Sequence, residues 1–272
     1  MSLMDHLHLE EYTEGNSALH RLDTRIKLIT AIITIFSIVL LSHWYVPLLF
    51  LGICFGLVIY SKAKLKLYVD RLLIPITLIA FIGIIMPFTY GSTIIGRVPL
   101  LAIPIYSQGI YFGVLVFTRA IAAVSVLNLL ILVTPIESVM ESLAWFRVPG
   151  VIIDTMMLMF RYIGILSDES TRMYRAQASR GGHSKSVSFY KRMLNYGSIG
   201  GSLLVRAFDR SVKVGNAMIS RGYTGKLNLF RIEKKKLPTK DTVVGALIIL
   251  ATIIVVLLDA YVLTNMHFWI FY

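Results

Sequence analysis

The chain has 272 residues, 56% of them hydrophobic and only 15% charged, and its mean hydropathy is +0.73. Soluble domains carry about a quarter charged residues, so the composition argues against a globular cytosolic enzyme and for membrane spans. Twenty-seven Lys and Arg against fifteen Asp and Glu leave a net charge of +12. In so apolar a chain that excess marks cytoplasmic loops, not nucleic-acid binding. The single cysteine, Cys54, excludes an intramolecular disulfide and a cysteine-rich zinc site.

Residues 1–27 form a polar, partly acidic segment without the apolar stretch of a secretory signal. Residues 28–60 are an almost unbroken apolar run. As one helix it would be about 50 Å long, too long for a single crossing of a core about 30 Å thick. Ser42-His43-Trp44-Tyr45, with Pro47 just beyond, divides the run into two short spans. Residues 72–90 make a third span, and 91–107, with Gly91, Pro99 and Pro104, read as a loop or re-entrant stretch. Residues 108–133 and 242–263 supply the fourth and fifth spans, the last followed by an outer carboxyl terminus to 272. The expected fold is an all-α integral membrane protein of about five transmembrane helices, four to six at the limits, plus a helical cytoplasmic module at 134–241.

Charge sets the orientation. Residues 1–27, 61–71 and 134–241 together hold 25 of the 27 Lys and Arg, against Arg97 on the other side and Arg119 inside a span. The amino terminus and residues 134–241 are therefore expected in the cytoplasm of a cell with this chain in its membrane.

Residues 134–241 read as three helices. The first opens at Thr134-Pro135-Ile136-Glu137, a cap with Pro and Glu in their favoured places, and stops before Pro149. The second covers about 151–180, apolar in its first half and polar in its second, with Asp168 and Arg172 at the i,i+4 spacing. The third covers about 187–220, with Leu204, Phe208, Ser211, Gly215 and Ile219 on one stripe and Arg206, Arg210 and Lys213 on another. Both long helices end alike, in Ser179-Arg180-Gly181 and Ser220-Arg221-Gly222. Alone, each tripeptide is a helix stop, with Gly as left-handed cap and a cation suited to the helix dipole. Two copies 41 residues apart also read as matched prongs, whose Arg can fork onto carboxylates of an acidic partner.

This arrangement resembles the transmembrane T subunit of energy-coupling-factor (ECF) transporters, most closely the cobalt/nickel type (CbiQ-like). The resemblance also rests on His20-Arg21-Leu22-Asp23-Thr24-Arg25-Ile26-Lys27-Leu28, on Thr134-Pro135, and on Phe160-Arg161-Tyr162-Ile163 with Asp168-Glu169 and Arg172-Met173. It covers essentially the whole chain, although both signatures carry Ser where the family more often has Ala. It implies that Ser179, Arg180, Gly181, Ser220, Arg221 and Gly222 dock two ABC-type ATPase subunits. It further implies a membrane substrate-binding S subunit as partner, with the lipid bilayer around both, and a non-catalytic role. Cobalt or nickel is the implied cargo; a vitamin T subunit and a self-contained secondary transporter are the alternatives. Near-absence of ionisable residues inside the spans argues against the last.

No G-x-x-x-x-G-K-[ST] string, H-E-x-x-H or G-x-S-x-G occurs, so neither catalysis nor a bound cofactor or metal is expected. His6 and His8 lack a second ligand cluster, and Met156, Met157 and Met159 read as packing residues. Lys234-Lys235-Lys236 reads as positive-inside charge. Arg119 admits two readings, a buried structural contact or a snorkelling chain at a span edge. Asp259 is expected to be solvated near the outer end of the last span.

Overall fold

A computed structural model describes residues 17–61, 65–91, 94–97, 104–182, 184, 187–223 and 238–270. His6, His8 and Lys234 to Lys236 lie outside them. The described helices are α1 (Ala18–Arg21), α2 (Thr24–Leu40), α3 (Tyr45–Tyr60), α4 (Leu65–Thr89), α5 (Ser107–Val133), α6 (Ile136–Trp145), α7 (Gly150–Ser179), α8 (Phe189–Ser220) and α9 (Thr239–Ile270). Two short strands, β1 (Ile94–Arg97) and β2 (Pro104–Tyr106), pair antiparallel between α4 and α5. The protein is an all-α membrane protein, with this pair the exception among the described residues. The pair lies within the stretch read from sequence as loop or re-entrant, a composition that does not distinguish short paired strands from a plain loop.

The chain forms two compact units, one from residues 10–139 and 235–272 and the other centred on 140–234. In the first, α5 is the central element and packs against α2, α3 and α4, while α9 packs on α2. The core runs through Ile38 and Leu41 of the α2 end, Phe50, Cys54 and Val58 of α3, Tyr68 and Leu72 of α4, and Ala122, Val126, Leu129 and Leu132 of α5. The α2–α3 break falls at residues 41–44, between helices of 17 and 16 residues. Each is about 25 Å long at 1.5 Å per residue.

Close helix approach in this unit depends on glycine. Gly109 and Gly113 of α5 face α4 at the i,i+4 spacing. A methyl group at Gly109 would lie 2.5 Å from the Tyr90 carbonyl oxygen, and one at Gly113 would lie 2.8 Å from the Gly83 carbonyl oxygen. In lipid, where helices gain no hydrophobic drive to associate, such small-residue contacts let backbones approach and pack. A polar contact deepens the same core: the Tyr68 and Ser125 hydroxyls are hydrogen-bonded, and Asn128 Nδ2 donates to the Tyr68 carbonyl at 2.9 Å.

Among the described residues, four helices are long and apolar enough to cross a membrane: α4, α5, α7 and the Thr239–Tyr261 part of α9. α7 is among them because its first half, through Ile165, is apolar apart from Asp154, Thr155 and Arg161. Its second half is polar.

Candidate functional site

Both Ser-Arg-Gly tripeptides sit at helix ends built the same way. At the end of α7, the Gly181 N–H donates to the Ala178 carbonyl and the Gly182 N–H to the Gln177 carbonyl, both at 3.0 Å. At the end of α8, the Gly222 N–H donates to the Ile219 carbonyl at 2.9 Å and the Tyr223 N–H to the Met218 carbonyl at 3.0 Å. These are paired Schellman caps, satisfying carbonyls that a helix end otherwise leaves without partners. They demand a left-handed residue just past the helix, and Gly181 (φ 77°) and Gly222 (φ 81°) supply it. The serines match too. Ser179 Oγ donates back to the Arg175 carbonyl at 3.0 Å, and Ser220 Oγ to the Asn216 carbonyl at 2.9 Å. Their hydroxyls are thus used within the helix, leaving the Arg side chain as the outward feature of each tip. All six residues, Ser179 to Gly181 and Ser220 to Gly222, are exposed.

The helices carrying these tips form an antiparallel hairpin. Asn195 Nδ2 donates to the Gly182 carbonyl at 2.8 Å, and the Tyr174 and Tyr196 rings stack with centroids 6.2 Å apart. Ser202 Oγ lies 3.3 Å from Met173 Sδ. Glu169 pairs with Arg206 at 2.8 Å and with Arg210 at 3.6 Å. At the far end, the Tyr223 hydroxyl donates to Asp154 Oδ2 at 3.4 Å. Burial and then the Asp154 carboxylate push the Tyr223 phenol up, since both disfavour a second negative charge there.

Two findings depart from a simple pair of prongs. Because the helices run antiparallel, Arg180 and Arg221 stand at opposite ends of the hairpin. About 26 residues of α7 separate Asp154, level with Tyr223, from Arg180, or about 40 Å at 1.5 Å per residue. The inter-helix ion pairs also use Glu169, not the Asp168–Arg172 spacing legible in sequence; a local i,i+4 rule is blind to which acid faces the neighbouring helix. The apolar stripe of α8 is left open, with Leu204 73% and Phe208 70% exposed.

Arg119 lies on α5, partly buried, and its Nε is enclosed with no hydrogen-bond partner among the described residues. Its charge neighbours are Asp259 of α9 and Tyr111. Asp259 is not solvated as its sequence position suggested: its side chain is 2% exposed. It accepts the Ser42 N–H at 2.6 Å and lies 2.8 Å from His43 Nδ1. Packing of α9 on α2 brings the break residues over the carboxylate, a contact between positions more than two hundred residues apart that no local pattern announces. Among the described residues, no group of three His, Cys, Asp or Glu could hold a metal ion.

A family model described as "Cobalt transport protein" (CbiQ) matches residues 15–232. An uncharacterized protein of Methanocaldococcus jannaschii is 30% identical over 85% of this chain and 86% of its own length. An energy-coupling factor transporter transmembrane protein EcfT of Listeria innocua is 31% identical over 82% of this chain and 87% of its own. A putative fused cobalt transport protein CbiMQ of Methanocorpusculum labreanum is 29% identical over 66% of this chain and 31% of its own. With the match covering most of its length, the chain belongs to the CbiQ family, the transmembrane T subunits of energy-coupling-factor transporters.

Proposed function

We propose that this chain is the non-catalytic energy-coupling subunit of an importer for cobalt or nickel ions. Two ABC-type ATPase subunits dock on the α7–α8 hairpin from the cytoplasm, one at Arg180 and one at Arg221. Closure of the ATPases on ATP displaces the hairpin, and the open apolar stripe of α8 passes that displacement to a membrane substrate-binding subunit. The observation that carries the reading is the pair of Ser-Arg-Gly ends with matching caps, about 40 Å apart on one antiparallel hairpin. Two exposed cations so far apart suit two separate acidic grooves, and the Schellman caps hold each guanidinium at a defined height. The metal cargo is supported by the family's description and by the fused cobalt transport relative.

The test is an Arg180→Glu/Arg221→Glu double variant. Charge-assisted contacts contribute about 1.5–3 kcal/mol each, so reversing both should cut ATPase co-purification by about tenfold or more and abolish Co2+ or Ni2+ uptake. Each single variant should weaken one docking, and Arg→Lys should be partly tolerated because the planar fork is lost. Wild-type co-purification and uptake in the double variant would reject docking at these residues. Uptake of a vitamin in place of either metal would reassign the cargo and leave the coupling role standing.

A further inference from the structure

The docking proposed above leaves the His20–Leu28 motif unused, yet three chain segments converge on it. Asp23 caps α2, its Oδ1 accepting the Arg25 N–H at 3.0 Å, while its own N–H donates to Asp241 Oδ2 at 2.9 Å. Asp241 sits in the first turn of α9, where a carboxylate suits the helix dipole. Lys27 Nζ reaches from α2 to two main-chain acceptors, the His20 carbonyl at 3.2 Å and the Val133 carbonyl at 3.4 Å. Val133 is the last residue of α5 and is 2% exposed. Its carbonyl is one of those a helix end leaves unpaired, at the negative pole of the dipole. Immediately beyond it the chain turns through Thr134-Pro135 into α6.

We propose that Lys27, braced by Asp23 and Asp241, is a positioning residue for energy coupling: it fixes the end of α5, the root of the segment leading to the hairpin, against α2 and α9. A hairpin driven by ATPases moves a membrane unit only if its root does not slide, and Lys27 supplies the fixed point. This rests on the coupling role proposed above. Burial, opposed by the Asp23 and Asp241 carboxylates, lowers the Lys27 ammonium to about 8. The charged or titratable groups around it are His20 of α1, Asp23 and Arg25 at the start of α2, and Asp241 of α9; α5 offers its last carbonyl.

The experiment uses the complete complex with its ATPase and substrate-binding subunits in proteoliposomes, with Co2+ and then Ni2+ as the transported probe. Lys27→Met should assemble at wild-type stoichiometry and hydrolyse ATP, with metal uptake per ATP lowered about fivefold or more. Lys27→Arg should restore coupling. Wild-type coupling in Lys27→Met would overturn the proposal. If Lys27→Met does not assemble, the isosteric Asp241→Asn carries the same test: lowered uptake per ATP is expected and unchanged coupling overturns it. Absence of Co2+ and Ni2+ uptake by the wild type would count against the metal cargo alone. Hydrogen exchange over residues 134–145, compared between nucleotide-free and ADP–vanadate-trapped complexes, then decides. A nucleotide-dependent difference that is lost in Lys27→Met supports the anchor; the same difference in both overturns it.

Discussion

Asp259 is the buried carboxylate that joins three elements of the membrane unit, accepting from the α2–α3 break and acting on Arg119 of α5. Removing an acceptor leaves buried donors unpaired at about 1–3 kcal/mol each. Asp259→Ala should therefore lower the unfolding midpoint in detergent more than Asp259→Asn, which keeps one acceptor oxygen. If Arg119 depends on that carboxylate, Arg119→Leu should weaken assembly or uptake while membrane insertion persists, and the Arg119→Leu/Asp259→Leu double should be less damaging than the sum of the singles. Additive losses would separate the two residues. Lys27 makes a prediction of opposite character. Its folded-state value, about 8, lies below its usual 10.5, so between those values the unfolded chain holds a proton that the folded chain has released. Stability then rises with pH across that window and is lower below it. Denaturation of the detergent-solubilised protein at pH 8 and pH 10 should show this rise, and Lys27→Met should flatten it.

At the scale of elements, glycine governs two different contacts. Gly109 and Gly113 admit α4 to α5, and a methyl group at Gly109 meets main-chain oxygens that no rotamer change can move aside. Overpacking of this kind costs about 1–3 kcal/mol, so Gly109→Ala should destabilise the unit, and Gly113→Leu should do so more strongly. Thermal melts in one detergent would show it. Gly181 and Gly222 have open space around them, so Ala there meets no clash and is opposed only by the left-handed backbone, about 1 kcal/mol. Gly181→Ala and Gly222→Ala should fray the last helical turn in hydrogen exchange yet weaken ATPase docking less than Arg→Glu. An equal loss would assign the effect to the cap instead of the guanidinium.

For the whole molecule, orientation is the property to test. The sole native thiol, Cys54, is buried, so a cysteine at Ser184, exposed in the hairpin connector, gives a clean reporter. In intact cells it should resist an impermeant thiol reagent and react only after lysis; labelling from outside would invert the proposed topology. Helix boundaries in the hairpin were legible because caps are local: the expected 151–180 and 187–220 are found at Gly150–Ser179 and Phe189–Ser220. The Ser42–Tyr45 break was legible for a similar reason, since polar and interfacial residues interrupt an apolar run. The β1–β2 pair, the Asp259 contacts and the partners of Glu169 were not, because each joins positions whose spacing carries no period.

Composition, charge asymmetry and two capped tripeptides were sufficient by themselves to mark a helical membrane protein with a polar module and two cationic tips. All of these are properties of single segments, and each segment answers to its own periodicity and end residues. Tertiary structure alone decided that the tips face opposite ways along an antiparallel hairpin, and that Lys27, Asp23 and Asp241 meet at the end of α5. It also decided that Asp259 is buried while the stripe of α8 stays open. Such outcomes depend on which face of one helix meets which face of another, and that choice is made by packing across the chain, where local sequence has no say.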